Sequence, residues 1–183
     1  MTITSRGWLI VALLLLCAPA SATSQGPAPP ADRWALVRFL VGSWEGTSEG
    51  RPGSGTVRRQ YRFELRDQFI EVRNTSTYPP QEKNPKGEVH DDVGFISYDR
   101  ARKRLVLRQF HVEGFDSQYV QDQPASAGAL SFTSEAIENI PAGWRARESY
   151  IVHGPDEFEE IFELAEGGKP FEEYSRTRLK RAK

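Results

Sequence analysis

The pattern of apolar and polar residues changes once along the chain, close to Trp44. Between Asp32 and Gly42, apolar residues recur at helical spacing, with Asp32 suited to an N-cap and Gly42 to the helix end. After Trp44, apolar and polar residues alternate with a period of two, and turn residues recur about every ten positions. The pattern therefore predicts a short N-terminal helix followed by an all-β domain.

The alternation predicts about ten strands, at residues 43–49, 56–66, 68–78, 89–98, 104–113, 115–121, 129–137, 144–153, 157–164 and 171–179. Short turns between successive strands are typical of an antiparallel up-and-down arrangement. Closing such a sheet into a barrel removes its exposed edges. A two-sheet sandwich is the alternative, but it usually needs long crossing connections, so we predict a barrel.

The same alternation predicts which side chains face the interior. Apolar Tyr61 shares its face with Arg59, and Glu148 and Glu160 lie in phase with apolar neighbours on their own strands. Periodicity does not choose a face for His111. An unpaired buried charge costs several kcal/mol, so these groups must pair, meet water or meet a ligand. We take these five residues as candidate ligand-binding residues, with a self-satisfied polar network and a catalytic site as alternatives.

The first residues are typical of an export signal. Arg6 precedes an apolar run at residues 8–16, and small residues then lead to a cleavage site after Ala22. We predict a signal peptide at 1–22, a flexible linker at 23–31 and one barrel domain at 32–183, with the mature protein periplasmic or secreted. Lipid anchoring at Cys17 is disfavoured because Leu16 precedes it where lipoprotein signals carry a small residue. The apolar run is too short to span a bilayer, so we predict no transmembrane segment.

Charge and motifs exclude several functions. Without Arg6, 23 of the 24 basic residues remain against 25 acidic ones, and this balance gives no case for nucleic-acid binding. Cys17 is the only cysteine, so the mature chain has no disulfide. The three histidines are His90, His111 and His153. We predict no catalytic residues and no metal site, because His111 and Glu113 lack a second ligand pair.

Residues 40–46, with Gly42 and Trp44, resemble the Gly-x-Trp opening of the calycins, which include lipocalins and fatty-acid-binding proteins. Residues 98–99, 110–115 and 174–181 are similar to uncharacterised exported bacterial lipocalin-like proteins. The resemblance implies a calycin barrel that Trp44 closes at one end. It also implies that an arginine of a late strand, Arg176 or Arg178, lies over Trp44 in a structural cation–π contact.

Gly42, Trp44 and Gly46 also match the opening of the more distant nitrobindin-like haem barrels. That resemblance implies a haem held by a histidine on a late strand, but no histidine follows His153. We therefore predict no cofactor, with haem bound by His153 or His111 as the alternative. The sequence favours an exported, non-catalytic protein that holds a small, partly apolar ligand. A haem-binding or acid–base barrel using His111 and a filled barrel acting as an interaction module are the alternatives.

Overall fold

The computed structural model describes residues 32–123 and 129–183. Over these ranges a short 3-10 helix, Arg38–Leu40, precedes ten strands: β1 (Gly42–Gly50), β2 (Gly53–Glu64), β3 (Phe69–Tyr78), β4 (Glu88–Asp99), β5 (Arg104–His111), β6 (Asp116–Gln121), β7 (Ala129–Glu138), β8 (Arg145–Gly154), β9 (Glu157–Ala165) and β10 (Glu172–Arg181). Every predicted strand is present, with ends that differ by no more than three residues. The predicted signal peptide and linker lie outside the described residues and stay predictions.

The ten strands form one closed antiparallel barrel. Each strand pairs with its neighbours in sequence, and β1 closes the barrel by pairing with β10 from Trp44 opposite Arg181 to Gly50 opposite Ser175. Closure leaves no free sheet edge, which confirms the predicted barrel over the sandwich. No helix in the described part of the chain is both long and apolar enough to cross a membrane.

The segment before β1 is less helical than its apolar spacing predicts. Asp32 accepts a hydrogen bond from the Trp34 backbone N–H at 3.0 Å, but the chain then makes turns and only three residues of 3-10 helix. A segment this short is not a stable helix by itself, so packing sets its path. Trp34, Val37 and Leu40 are buried against the barrel. The segment therefore covers one end of the barrel, as a plug.

Trp44 is the centre of this closed end. It is fully buried, its ring lies edge-on to Phe158 at a centroid distance of 4.7 Å, and its indole N–H donates to the Leu40 carbonyl at 2.6 Å. The guanidinium of Arg181 lies 4.3 Å from the ring centroid. The same guanidinium donates to the carbonyls of Val41 and Phe39 at 3.0 and 3.3 Å. Arg181 thus fastens the last strand to the segment that enters the first.

The arginine over Trp44 was predicted to be Arg176 or Arg178, and the structure corrects this. Register places Arg181 opposite Trp44, whereas Arg178 lies opposite Thr47. Alternation then turns Arg176 and Arg178 to the outer face, where both pair with Glu159. These two arginines contribute surface ion pairs rather than the cation–π contact.

Gly42 is required by the position of Arg181. Its φ of +130° lies in a region that side chains rarely adopt, and a Cβ there would lie 2.5 Å from Arg181 Nη1. The glycine of the Gly-x-Trp opening therefore makes room for the arginine that covers the tryptophan.

The inward faces follow the predicted alternation within the strands. Tyr61 faces the core, whereas Leu65 lies in the β2–β3 turn at a positive φ of 50° and is 69% exposed. The strand ends before Leu65, so the alternation no longer applies to it. On β5, where periodicity did not decide, Leu105, Leu107 and Gln109 are buried and Phe110 faces outward.

Candidate functional site

The opposite end of the barrel contains a cavity of about 480 Å³. This volume is within the range of small-molecule sites, about 300–1,000 Å³. The connections β1–β2, β3–β4, β5–β6, β7–β8 and β9–β10 surround this end. Its apolar lining includes Phe115, Ile137, Trp144, Phe162, Leu164 and Tyr174. This half of the barrel is therefore not filled by its own side chains.

The cavity floor contains a buried ion pair between Arg59 of β2 and Glu160 of β9. Both side chains are 9% exposed, and Arg59 Nη1 donates directly to Glu160 Oε2. Arg59 Nε also donates to Asn74 Oδ1 at 3.1 Å. Burial opposes the charge of Arg59, but the Glu160 carboxylate outweighs it and raises the pKa of the guanidinium. Arg59 is thus engaged by the protein and is not a free anchor for an anionic ligand.

Glu148 lies beside this pair and is held differently. Tyr150, two residues along the same face of β8, donates its hydroxyl proton to Glu148 Oε2 at 2.6 Å. Burial, followed by the nearby negative charge of Glu160, raises the pKa of Glu148 to about 8. Glu148 is consequently mostly protonated at neutral pH. The floor then holds one balanced ion pair and one neutral acid, with no net charge.

The β4–β5 wall carries a cluster of histidines and carboxylates. His90 Nε2 lies 3.6 Å from Asp92 Oδ2 and 3.4 Å from His111 Nδ1, and His90 Nδ1 lies 2.7 Å from Glu113 Oε1. The His111 ring stacks on Phe115 at a centroid distance of 4.1 Å. These contacts bring both histidines and two carboxylates into one connected group.

Burial alone would raise the pKa of Asp92. The hydrogen bond from His90, the charge of Arg59 and the hydrogen bond from Asn74 outweigh burial, and the pKa lies below its usual value. Burial also lowers the pKa of His111, which favours its neutral form. Hydrogen bonds with Asp92 and Glu113 raise the pKa of His90 to about 9, although burial opposes this. The wall therefore presents a protonated His90 between carboxylates, beside a neutral His111.

Several polar atoms of this wall have no hydrogen-bond partner among the described residues. Those that line the cavity are Asp92 Oδ1, Gln109 Oε1, His111 Nε2 and Ser117 Oγ. Buried polar groups are nearly always paired, and each unpaired one costs about 1–3 kcal/mol. Their grouping on β4, β5 and β6 marks the place where a bound molecule would be held.

The predicted ligand-binding residues do not all reach the cavity. Arg59, His111, Glu148 and Glu160 line it, whereas Tyr61 lies in the core below. Tyr61 and Arg59 are two residues apart and share one face of β2. Tyr61 lies deeper along the barrel axis than Arg59, and so below the cavity.

Sequence reasoning missed His90, Asp92 and Gln109. The available signal was the i, i+2 spacing of His90 and Asp92 on one strand face. This spacing indicates a site only when the β4–β5 register is known, because that register places Asp92 directly opposite His111.

Fold and site together define a closed ten-stranded antiparallel β-barrel with a ligand-sized interior at one end. The sequence matches no protein-family model and no curated protein. Among solved structures, the crystal structure of Rv2717c from M. tuberculosis is similar, with 17% identity and a TM-score of 0.63 over 84% of this chain and 99% of that chain. At this identity the likeness shows the fold alone.

Two designed barrels are also similar, at a lower level. One is a de novo designed fluorescence-activating β-barrel, with 13% identity and a TM-score of 0.41 over 79% of this chain and 94% of that chain. The other is a design bound to DFHBI, with 10% identity and a TM-score of 0.44 over 82% of this chain and all of that chain. Likenesses of this size carry no argument about function.

The residues present do not fit haem. His153 lies on the outer surface of β8, exposed and away from the cavity lining. His111 lines the cavity, but its neighbours there include the carboxylates of Asp92 and Glu113, which would repel haem propionates. The carboxylate oxygens and ring nitrogens around His111 suit a small cation or a hydrogen-bond donor instead.

Proposed function

We propose that this protein is an exported, non-catalytic, lipocalin-like binding protein for a small, partly apolar molecule with hydrogen-bond donors and no negative charge. The cavity with its unpaired buried acceptors is the observation that carries the proposal. Export rests on the predicted leader alone, and calycin ancestry rests on the Gly-x-Trp resemblance.

The side chains that line the cavity indicate that part of the ligand is apolar. Aromatic and aliphatic side chains from β6–β10 and the β7–β8 connection surround the upper cavity. Covering them with a hydrocarbon group gains about 25 cal/mol for each square ångström removed from water. A ligand with a hydrocarbon or aromatic body therefore fits this part.

The charges in the cavity wall indicate which polar groups the ligand carries. Among the described residues, Asp92 Oδ1 and Gln109 Oε1 are acceptors without a donor, and Arg59 is already paired with Glu160. A carboxylate ligand would face Asp92 and Glu113, and the nearby cationic groups are already engaged, Arg59 by Glu160 and His90 by these two carboxylates. An amine or hydroxyl would instead supply the missing donors.

The test uses three probes with the same alkyl chain: dodecylamine, dodecan-1-ol and dodecanoate. A change in the tryptophan fluorescence of the purified mature protein follows binding, because Trp144 lines the cavity whereas Trp34 and Trp44 lie at the closed end. We expect the amine and the alcohol to bind more tightly than dodecanoate. Tightest binding of dodecanoate, or no binding of any probe, would refute the proposal.

A pair of variants locates the polar contact. Gln109→Leu removes one unpaired acceptor at similar volume, and we expect roughly three- to tenfold weaker amine binding, as for one lost hydrogen bond. Gln60→Leu, on the exposed face of β2, is the matched control and should bind like the wild type. Equal affinities for both variants would remove Gln109 from the site.

A further inference from the structure

We propose that His90, Asp92 and His111 form a binding site for a divalent transition-metal ion of the zinc type in the cavity wall. The inference goes beyond the proposed binding of an organic molecule and does not depend on it. One ligand atom from each residue lies within 4.8 Å of the others. His90 and Asp92 share one face of β4, and the register of β4 with β5 places His111 opposite Asp92.

The spacing of the donor atoms fits metal coordination. Two ligands bound at about 2.0–2.2 Å to a tetrahedral ion lie roughly 3.3–3.6 Å apart. His90 Nε2 lies 3.4 Å from His111 Nδ1 and 3.6 Å from Asp92 Oδ2. All three donor atoms lie within 4.8 Å of one another, so small side-chain adjustments bring them onto one ion.

The groups around these ligands have the arrangement of an outer coordination shell. His90 Nδ1 contacts Glu113 Oε1 at 2.7 Å, so its N–H points at the carboxylate, and Nε2 becomes the lone-pair donor when a metal displaces its proton. Asn74 Nδ2 donates to Asp92 Oδ2 at 2.9 Å and orients that carboxylate. Metal-bound histidines almost always donate their other ring N–H to a carboxylate, a backbone carbonyl or water.

The polar atoms around the three ligands leave room for a metal-bound water. Without a metal, one proton on His90 Nε2 must serve both His111 Nδ1 and Asp92 Oδ2. Three protein ligands also leave at least one coordination position open, as in sites that bind water or an exogenous group. Gln109 Oε1 and Ser117 Oγ line the same cavity and lack partners among the described residues. A metal-bound water can donate to such acceptors.

The experiment is titration calorimetry of the full mature protein, freed of metal by chelation, with Zn²⁺. Co²⁺ absorption serves as the second readout, because its visible bands report tetrahedral or five-coordinate geometry. We expect one equivalent to bind, and His90→Ala and His111→Ala to lower the affinity at least about a hundredfold. Glu113→Gln should lower it about 10–100-fold with unchanged stoichiometry, as for an outer-shell group.

His153→Ala is the matched control, since His153 is an exposed histidine away from the cavity. It should bind Zn²⁺ like the wild type. Thermal unfolding of each variant shows that it is folded, and Glu113→Gln keeps the test valid if a histidine variant does not fold. Absence of Zn²⁺ binding to the wild type, or equal loss in His153→Ala and His90→Ala, would overturn the proposal. Dodecylamine binding to metal-free protein separates the two proposals, because it can persist when the metal site fails.

Discussion

The protonated state of Glu148 predicts a specific dependence of stability on pH. Its pKa is 4.5 in an unfolded chain and about 8 in the buried site, where burial and Glu160 disfavour the charged form. The folded protein therefore binds this proton more tightly than the unfolded chain does. The contribution of Glu148 to stability is fully present below pH 4.5 and is lost as the pH rises to about 8.

The size of this loss follows from the two pKa values. At about 1.4 kcal/mol for each pH unit, the interval from 4.5 to about 8 corresponds to roughly 5 kcal/mol. Glu148→Gln keeps an acceptor for the Tyr150 hydroxyl but cannot ionise. We expect the variant to gain stability relative to the wild type by up to this amount as the pH rises from 4 to 9.

Urea unfolding at several pH values measures the difference, and comparison with the variant cancels the titration of other groups. Glu45→Gln, which changes an exposed carboxyl on β1, is the control and should follow the wild-type profile. A wild-type and Glu148→Gln difference that stays constant across pH would refute a buried, protonated Glu148.

Three further predictions concern stability, each measured by chemical unfolding. Gly42→Ala should cost about 1–3 kcal/mol, because φ of +130° and the contact with Arg181 both oppose a Cβ; an unchanged midpoint would contradict this account. Arg59→Met should cost about 3–5 kcal/mol by leaving Glu160 buried without its partner, and adding Glu160→Gln should restore most of the loss, whereas strictly additive losses would argue against the pair. Phe158→Ala should cost about 3–5 kcal/mol by opening a void beside Trp44, and a loss below about 1 kcal/mol would mean that the closed end repacks.

The strands and much of the cavity floor could be predicted from the sequence because both depend on local alternation. A period of two puts Arg59, Glu148 and Glu160 on the apolar side of their strands whatever the strand partners are. The turn residues between strands define the strand ends, and these too are local features of the sequence. For this reason the barrel and three floor residues were within reach of sequence reasoning.

The arginine over Trp44 and the cluster around His111 could not be predicted from the sequence. Choosing Arg181 over Arg178 needs the register between the first and last strands, which no local pattern contains. Recognising His90 and Asp92 as neighbours of His111 needs the β4–β5 register as well. Local patterns give the face of a strand, whereas long-range pairing decides which residues meet on it.

The two ends of the barrel have different structural roles. Trp44, Arg181 and residues 32–41 close one end, while within the described part of the chain hairpin connections frame the cavity mouth at the other. Substitutions or insertions in the β5–β6 and β7–β8 connections therefore leave the closed end untouched. The scaffold is modular: its mouth can change in sequence, or be exchanged by loop grafting, while the opposite end keeps the chain folded.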